Sequence, residues 1–202
     1  LEFDPVSKQF INHSMPGGYY PHTIRMDSQD RVWFTLAVSS QVAMFDRQTA
    51  EFTLYDLPAR GIKEWLILKS LPLVFAIDPE NRPLPSPDRE STGLPMPYGI
   101  DVAADDSIWV ARLYANDLAH IDAASGEVTM VDFPYNGPRR LRIYADGMLW
   151  IVAFQDSLLV KYNPKTQMFS HYELPVVNEV PYALNVDKAR GVVWVNGNQS
   201  DT

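Results

Sequence analysis

The chain has 202 residues, of which 46% are hydrophobic and 12% aromatic, and it contains 16 prolines. This length can bury one core, and the composition suits a turn-rich all-β protein. A formal net charge of −8 argues against nucleic acid or an anionic membrane as the main partner. The lack of cysteine excludes disulfides, thiol catalysis and Cys-based zinc sites, and no apolar run is long enough to predict a membrane span.

The first third of the chain already shows a repeating unit. Residues 21–58 contain four short runs in which apolar and polar residues alternate, separated by polar turn residues. Residues 1–16 contain only the last two runs of such a unit. Alternation with a period of two predicts half-buried strands joined by tight turns. Four strands in about 40 residues is the size of one β-propeller blade.

Residues 59–96 interrupt the repeat and share none of its turn residues. The apolar segment 61–78 is predicted to form one or two strands, and the Pro-rich segment 79–97 an extended loop. A long loop inside a compact domain is usually functional or a misassigned element, so two interpretations remain. The segment is either a degenerate blade or an insertion that folds over one face as a lid or a partner-docking arm. The missing turn residues favour the insertion.

Two further complete units follow at 97–134 and 138–175, and residues 181–202 hold the first two runs of another. A tryptophan ends the second run of each unit, at Trp33, Trp109, Trp150 and Trp194. A blade cannot bury both faces of its own sheet, so we predict that each tryptophan packs between its blade and the next.

The two incomplete units allow two arrangements of the chain ends. The strands of 1–16 and 181–202 could pair into one composite blade, which would close a ring and remove its open edges. Alternatively, the chain is a fragment of a larger propeller whose other blades lie outside it. The absence of an initiator methionine at Leu1 favours the second arrangement.

Candidate ligand-binding residues follow from the position of each unit's first strand. In a propeller this strand lines the central channel, and the loops that precede it open on one face, where side chains from several blades meet. The residues selected at this channel mouth are His22, Tyr98, Arg112, Arg139, Arg140, Tyr182 and Asn196. Aromatic, arginine and amide groups suit an anionic or polyhydroxylated ligand, and the arginines favour a carboxylate or phosphate. The arginines could instead pair with carboxylates at the rim.

No catalytic or metal-binding signature accompanies these residues. The sequence has no HExxH, GxSxG, P-loop or GxGxxG pattern, and no residues at a fixed metal-ligand spacing. Catalytic and metal-binding residues therefore stay unassigned.

The segments PHTIRMDSQDRVWFT at 21–35, PYGIDVAADDSIWVA at 97–111 and DLAHIDAASGEVTMVDFP at 117–134 resemble the streptogramin lyase (virginiamycin B lyase) family. The resemblance covers nearly all of the chain outside 59–96. It implies a propeller of about seven blades, of which this chain would supply little more than half. It also implies Mg²⁺ as cofactor and a lyase activity that opens a cyclic depsipeptide at an ester.

The catalytic residues of that family are not found at the matching positions of this sequence. The family's general-base histidine lies in a Glu-x-His pair, and this sequence has none. The positions that follow the blade tryptophans hold Leu36, Arg112, Ala153 and Gly197. Only His22 matches a family position that can contact substrate.

Two functional hypotheses follow. In the first, the chain is a propeller that binds a small molecule or a protein partner at the channel mouth and the insertion, without a complete catalytic set. In the second, it belongs to a magnesium-dependent carbon–oxygen lyase, or a related metal-dependent lactonase, whose catalytic residues lie outside this chain. The missing Glu-x-His pair favours the first. The lack of cysteine and of a starting methionine slightly favours a periplasmic or secreted location.

Overall fold

The structure, a computed structural model, describes residues 1–77, 95–176 and 179–198. Antiparallel strands make up about half of the described residues, and one helix lies between the first and second complete sheets in sequence. The predicted all-β class and the predicted four-stranded blades are confirmed.

Three complete four-stranded sheets form the middle of the chain. The first contains β3 (Pro21–Met26), β4 (Val32–Leu36), β5 (Gln41–Asp46) and β6 (Glu51–Asp56). The second contains β7 (Met96–Val102), β8 (Ile108–Leu113), β9 (Asp117–Ile121) and β10 (Val128–Asp132). The third contains β11 (Pro138–Ile143), β12 (Leu149–Ala153), β13 (Leu158–Asn163) and β14 (Met168–Glu173). In each sheet a strand pairs with the next strand in sequence, as in a propeller blade.

One two-stranded sheet precedes these three sheets in the sequence, and another follows them. One pair is β1 (Glu2–Asp4) with β2 (Gln9–Ile11), and the other is β15 (Pro181–Asp187) with β16 (Val192–Gly197). The two pairs belong to separate sheets, so the described strands do not form the composite blade that the sequence allowed.

Successive sheets pack through their first strands. β3 contacts β7, β7 contacts β11, and β11 contacts β15. These four strands therefore line one surface of the described chain, which we call the inner surface.

The turn between the third and fourth strands explains a recurring Asp or Asn in every unit. Asp46, Asp122 and Asn163 each accept, through Oδ1, the backbone N–H of the residue two positions further on, at 2.7, 2.8 and 3.0 Å. This side-chain hydrogen bond stabilises a tight turn. Backbone hydrogen bonds from Ser125 and Ala124 also lower the pKa of the Asp122 carboxyl.

Trp33 and Trp109 pack between sheets, as predicted for the blade tryptophans, whereas the half-buried Trp150 ring contacts Tyr172 and Lys161 of its own sheet. Trp33 is fully buried in a cluster with Ile100 and Val110 of the second sheet, and Trp109 is 6% exposed in a cluster with Leu141 of the third. Trp194 is 67% exposed at the end of the described sheets. Burial of a blade tryptophan therefore depends on contact with a neighbouring sheet.

The insertion begins with helix α1 (Ile62–Ile77), so the prediction of one or two strands at 61–78 is wrong. An apolar-rich run of this length exceeds a typical strand and is long enough for a helix. Glu64 in the first turn accepts the N–H of Arg60 at 2.5 Å, which stabilises the start of the helix. Of the loop predicted at 79–97, residues 96–97 already belong to β7, so the prediction is wrong there, residue 95 precedes the strand, and residues 79–94 lie outside the described residues.

Helix α1 exposes several apolar side chains, including those of Ile62, Trp65, Leu66 and Leu73. In the described parts of the chain, no helix is both long enough and apolar enough to cross a membrane.

Candidate functional site

A β-bulge near the start of each first strand positions the candidate residues. The pairing with the second strand shifts register between Pro21 and Ile24, and at the same place in the other three units. A bulge leaves residues out of the ladder and re-aims their side chains. The residues inside the four shifts are His22 and Thr23, Tyr98, Arg139 and Arg140, and Tyr182. We call these six residues the mouth cluster.

Arg139 lies at the centre of the mouth cluster and is 1% exposed. Its guanidinium carbon lies 3.8 Å from the ring centroid of Tyr182, 4.5 Å from that of Phe154 and 4.7 Å from that of Tyr98. Its Nη2 also donates to the Tyr98 hydroxyl at 2.9 Å. Three aromatic rings around one planar cation make favourable cation–π contacts. Arg139 therefore joins three successive sheets from inside the protein.

Tyr98 connects Arg139 to the first sheet. Burial raises the pKa of its phenol well above the usual value, and a hydrogen bond with Tyr182 raises it further, so the ring stays neutral. The Tyr98 carbonyl accepts the Thr23 hydroxyl hydrogen at 2.6 Å. The His22 ring lies 3.9 Å from the Tyr98 ring, centroid to centroid, and His22 Nδ1 lies 2.9 Å from Thr23 Oγ1. Since Thr23 has already donated its one hydrogen, this geometry requires Nδ1 to be the donor.

Arg140 crosses from the third sheet to the first. Its Nη1 donates to Thr23 Oγ1, and its guanidinium carbon lies 4.8 Å from the Tyr98 ring centroid. The side chain is half-buried, and this burial lowers the pKa of the guanidinium. Arg140 therefore combines a fixed position with access from outside.

Two of the predicted residues lie outside the mouth cluster. Arg112 is 1% exposed and forms a two-pronged ion pair with buried Asp117, at 2.7 and 2.6 Å. It also donates to the Pro58 carbonyl at 2.8 Å, just before the insertion. The Asn196 side chain accepts the backbone N–H of Ala183 at 3.0 Å and so supports the bulge of β15. The structure gives both residues structural roles.

A second group of polar residues, not predicted from the sequence, lies on the first strands that line the inner surface. Arg25, Asp101, Arg142 and Asn185 each pair directly with the tryptophan of their own unit. They are the fifth residue of the unit starts PHTIR, PYGID, PRRLR and PYALN, so a comparison of the repeats contains the signal that would have found them. We call these four residues the polar layer.

The described residues do not fit the magnesium ion that the family resemblance implies. Where the structure describes the chain, no group of three or more His, Cys, Asp or Glu side chains could hold a metal ion. The mouth cluster instead brings two guanidinium groups together with aromatic rings. A divalent cation needs carboxylate or carbonyl oxygens and is repelled by arginines.

No family model and no curated protein matches the chain. Solved structures do match it. Virginiamycin B lyase from Staphylococcus aureus aligns with 96% of this chain and 54% of its own, with a TM-score of 0.71 and 15% sequence identity. A streptogramin B lyase structure aligns with 96% of this chain and 53% of its own, with a TM-score of 0.69 and 19% identity.

The chain has a streptogramin lyase-like propeller fold. The resemblance inferred from the repeats is thus confirmed at the level of the fold. The chain spans about half the length of the streptogramin lyases that it matches. The WD40 propeller domain of Doa1 also aligns with 90% of this chain and 48% of its own, with a TM-score of 0.61 and 7% identity, so the architecture is shared by propellers of other kinds.

Proposed function

We propose that this streptogramin lyase-like propeller is a binding scaffold and that it takes a small-molecule ligand at the mouth cluster. The observation that supports this proposal is the contact, in one place, between side chains from all four first strands. Tyr98 and Arg139 are buried and hold the cluster together. His22, Arg140 and Tyr182 are half-buried, so they are the members that a ligand can touch.

The accessible groups indicate the chemistry of the ligand. A guanidinium group favours carbonyl or carboxylate oxygens, and the phenol and imidazole rings favour flat apolar or aromatic groups. Catalytically inactive virginiamycin B lyase from Staphylococcus aureus has been solved with quinupristin, and it aligns with 95% of this chain and 54% of its own, with a TM-score of 0.70 and 16% identity. Quinupristin is therefore the first probe for this chain.

The broader hypothesis adds the insertion and a protein partner to the binding face. The hydrogen bond from Arg112 to Pro58 ties the start of the insertion to the second sheet, beside the mouth cluster and not within it. The mouth cluster alone is accordingly the binding site that we propose to test.

Calorimetric titration with quinupristin tests the proposal. We expect saturable binding with one site per chain, weakened at least tenfold by His22→Ala and by Tyr182→Ala. The control is Tyr172→Ala, because Tyr172 is 48% exposed on the outer strand β14. We expect this control to change the affinity by less than about twofold. Absence of saturable binding, or an equal loss in the control, would exclude the mouth cluster as the quinupristin site.

The magnesium-dependent lyase is the alternative, supported by the fold likeness alone. Elimination at the ring ester removes a carbon-bound proton and breaks the ester C–O bond, which leaves a carboxylate and a double bond in one linear molecule. The product has the mass of the substrate, so it must be detected by chromatography. We expect quinupristin to be recovered intact with or without Mg²⁺. A linear isomer formed only with Mg²⁺ would favour the lyase.

A further inference from the structure

The polar layer and Arg140 concentrate positive charge on the inner surface. Arg25 lies on β3, Asp101 on β7, and Arg140 and Arg142 two positions apart on β11. Arg140 lies inside the bulge, but its guanidinium reaches Thr23, two positions before Arg25, and Asp101 bonds both to Arg25 and to the backbone N–H of Ile143, which adjoins Arg142. Three guanidinium groups thus share this region with one carboxylate, although the whole chain has a net charge of −8.

Asp101 is already occupied by two donors. Its Oδ1 accepts Arg25 Nε at 3.0 Å, and its Oδ2 accepts the backbone N–H of Ile143 at 2.8 Å. Both oxygens are therefore engaged, and the carboxylate compensates mainly the charge of Arg25.

Arg140 and Arg142 have neutral acceptors. Arg142 Nη1 donates to the Leu141 carbonyl at 2.8 Å, and Arg140 Nη1 donates to the Thr23 hydroxyl. Of the ion pairs formed within the described residues, none includes Arg140 or Arg142. A carbonyl or hydroxyl acceptor satisfies one hydrogen bond but does not neutralise the positive charge, and Asp101 offsets the charge of Arg142 only in part.

Burial makes this arrangement unfavourable without a counter-ion. Burial lowers the pKa of Arg142, and the neighbouring Arg25 lowers it further. Because arginine stays charged in proteins, the folded state is destabilised by repulsion between the guanidinium groups and by their lost solvation. An oxyanion would relieve both, and the guanidinium fork binds planar or tetrahedral oxyanions through two parallel hydrogen bonds.

We propose that Arg25, Arg140 and Arg142 form an anion-binding site on the inner surface, which takes the carboxylate or phosphate group of a ligand. This differs from the arginine cluster predicted from the sequence, because Arg112 is paired with Asp117 and Arg139 is enclosed by aromatic rings. The site shares Arg140 with the mouth cluster, but Arg25 and Arg142 lie outside that cluster, so a simple anion can occupy the site without a ligand on the mouth rings.

The probes are inorganic phosphate and citrate, titrated into the wild-type chain by calorimetry at low ionic strength. Thermal unfolding with either probe is compared with sodium chloride at equal ionic strength. We expect saturable binding of at least one probe and a rise in Tm beyond that given by chloride. Binding of phosphate alone indicates a phosphate-bearing ligand, and binding of citrate alone indicates a carboxylate. Absence of saturable binding for both probes would overturn the proposal.

Substitutions distinguish anion binding at this site from a general effect of the protein's charge on probe binding. Arg142→Gln should weaken probe binding at least tenfold without lowering Tm in anion-free buffer, because it removes one of the repelling cations. Arg142→Lys keeps the charge but loses the two-pronged contact, so we expect a smaller loss. Arg190→Gln is the control, since the Arg190 side chain is 80% exposed and pairs with Asp187. Equal binding by wild type and Arg142→Gln, or an equal loss in Arg190→Gln, would contradict the site.

A mouth variant keeps the two proposals distinguishable. Tyr182→Ala should weaken quinupristin binding but leave phosphate or citrate binding within about twofold, because the Tyr182 ring packs on Arg139, which is not part of the anion site. If Tyr182→Ala abolishes anion binding as strongly as Arg142→Gln does, a separate inner-surface site is excluded.

Discussion

Gly99 and Arg140 meet across two neighbouring first strands with no room for a side chain between them. A Cβ atom at Gly99 would lie 2.8 Å from the Cα of Arg140 and 2.8 Å from the carbonyl oxygen of Arg139. Because both are backbone atoms, they cannot rotate away. Glycine lets β11 approach β7 closely. Arg140 can therefore reach past β7 to Thr23 on β3.

Gly99→Ala should therefore destabilise the protein by about 1–3 kcal/mol, since the two strands must separate. Urea denaturation followed by tryptophan fluorescence measures the change. Gly17→Ala is the control, because a Cβ there would make only an ordinary contact of 3.6 Å with Leu54. We expect the control to stay within about 0.5 kcal/mol of wild type, and similar losses in both variants would contradict the close-approach argument.

The loss of folding stability on replacing a blade tryptophan should increase with the burial of its ring. Trp33→Ala removes a fully buried ring and its 2.8 Å hydrogen bond to Asp27, so we expect a loss of about 3–5 kcal/mol. Trp194→Ala removes a ring that is 67% exposed, and we expect a loss below about 1 kcal/mol. Chemical denaturation of the two variants in parallel provides the test. A large loss in Trp194→Ala would show that this ring is covered by a surface outside the described contacts.

The Arg112–Asp117 pair is a structural element, so its disruption should affect stability strongly. Asp117→Ala leaves the buried Arg112 charge without its carboxylate, and we expect a loss of about 3–5 kcal/mol. Arg190→Ala breaks an exposed pair and should cost less than about 1 kcal/mol. If Asp117→Ala were as stable as wild type, the buried charge would have to be compensated by another group.

Asp106 gives a testable pH dependence because it links the turns of two adjacent sheets. It accepts the Ser28 hydroxyl at 2.6 Å and the Ser28 N–H at 2.9 Å, and these bonds lower the pKa of its carboxyl in the folded state. A lowered folded pKa stabilises the protein above the unfolded value of about 3.9, and this stabilisation is lost as the pH falls through the folded value. Solvent screening keeps the contribution below about 1 kcal/mol.

Asp106→Asn is the matched variant, since asparagine also tolerates the left-handed backbone, with φ of 63°, at this position. We expect wild type to be the more stable protein at pH 7 and the difference to vanish in strong acid. In a Ser28→Ala background the same substitution should have a much smaller effect at pH 7. An Asp106→Asn effect that is independent of both pH and Ser28 would rule out this linkage.

Local patterns in the sequence were sufficient to predict most of the strands. Alternation of apolar residues and recurring turn formers are properties of a few neighbouring residues, and Asp46 and Asp122 stabilise their turns through residues two positions away. Helix α1 was misassigned because apolarity alone does not distinguish a buried strand from a helix. Its length was the better criterion.

The candidate site was predicted only in part, because repeat position identifies a bulge but not the partners of its side chains. His22, Tyr98, Arg139, Arg140 and Tyr182 come together, whereas Arg112 is paired with Asp117. Asp117 is only five positions from Arg112, but the antiparallel pairing of β8 and β9 places them opposite each other.

The sequence by itself determined the repeat, the four-stranded blades and the recurring tryptophan position, since these depend on periodicity and on short-range turn chemistry. The tertiary structure alone decided which arginines are enclosed by partners from other strands. Arg112 and Arg139 are enclosed by groups from other strands, while Arg140 and Arg142 reach the inner surface with only neutral hydrogen-bond acceptors. The physical reason is that charge compensation depends on distances between side chains from different sheets, and a linear pattern of residues does not contain those distances.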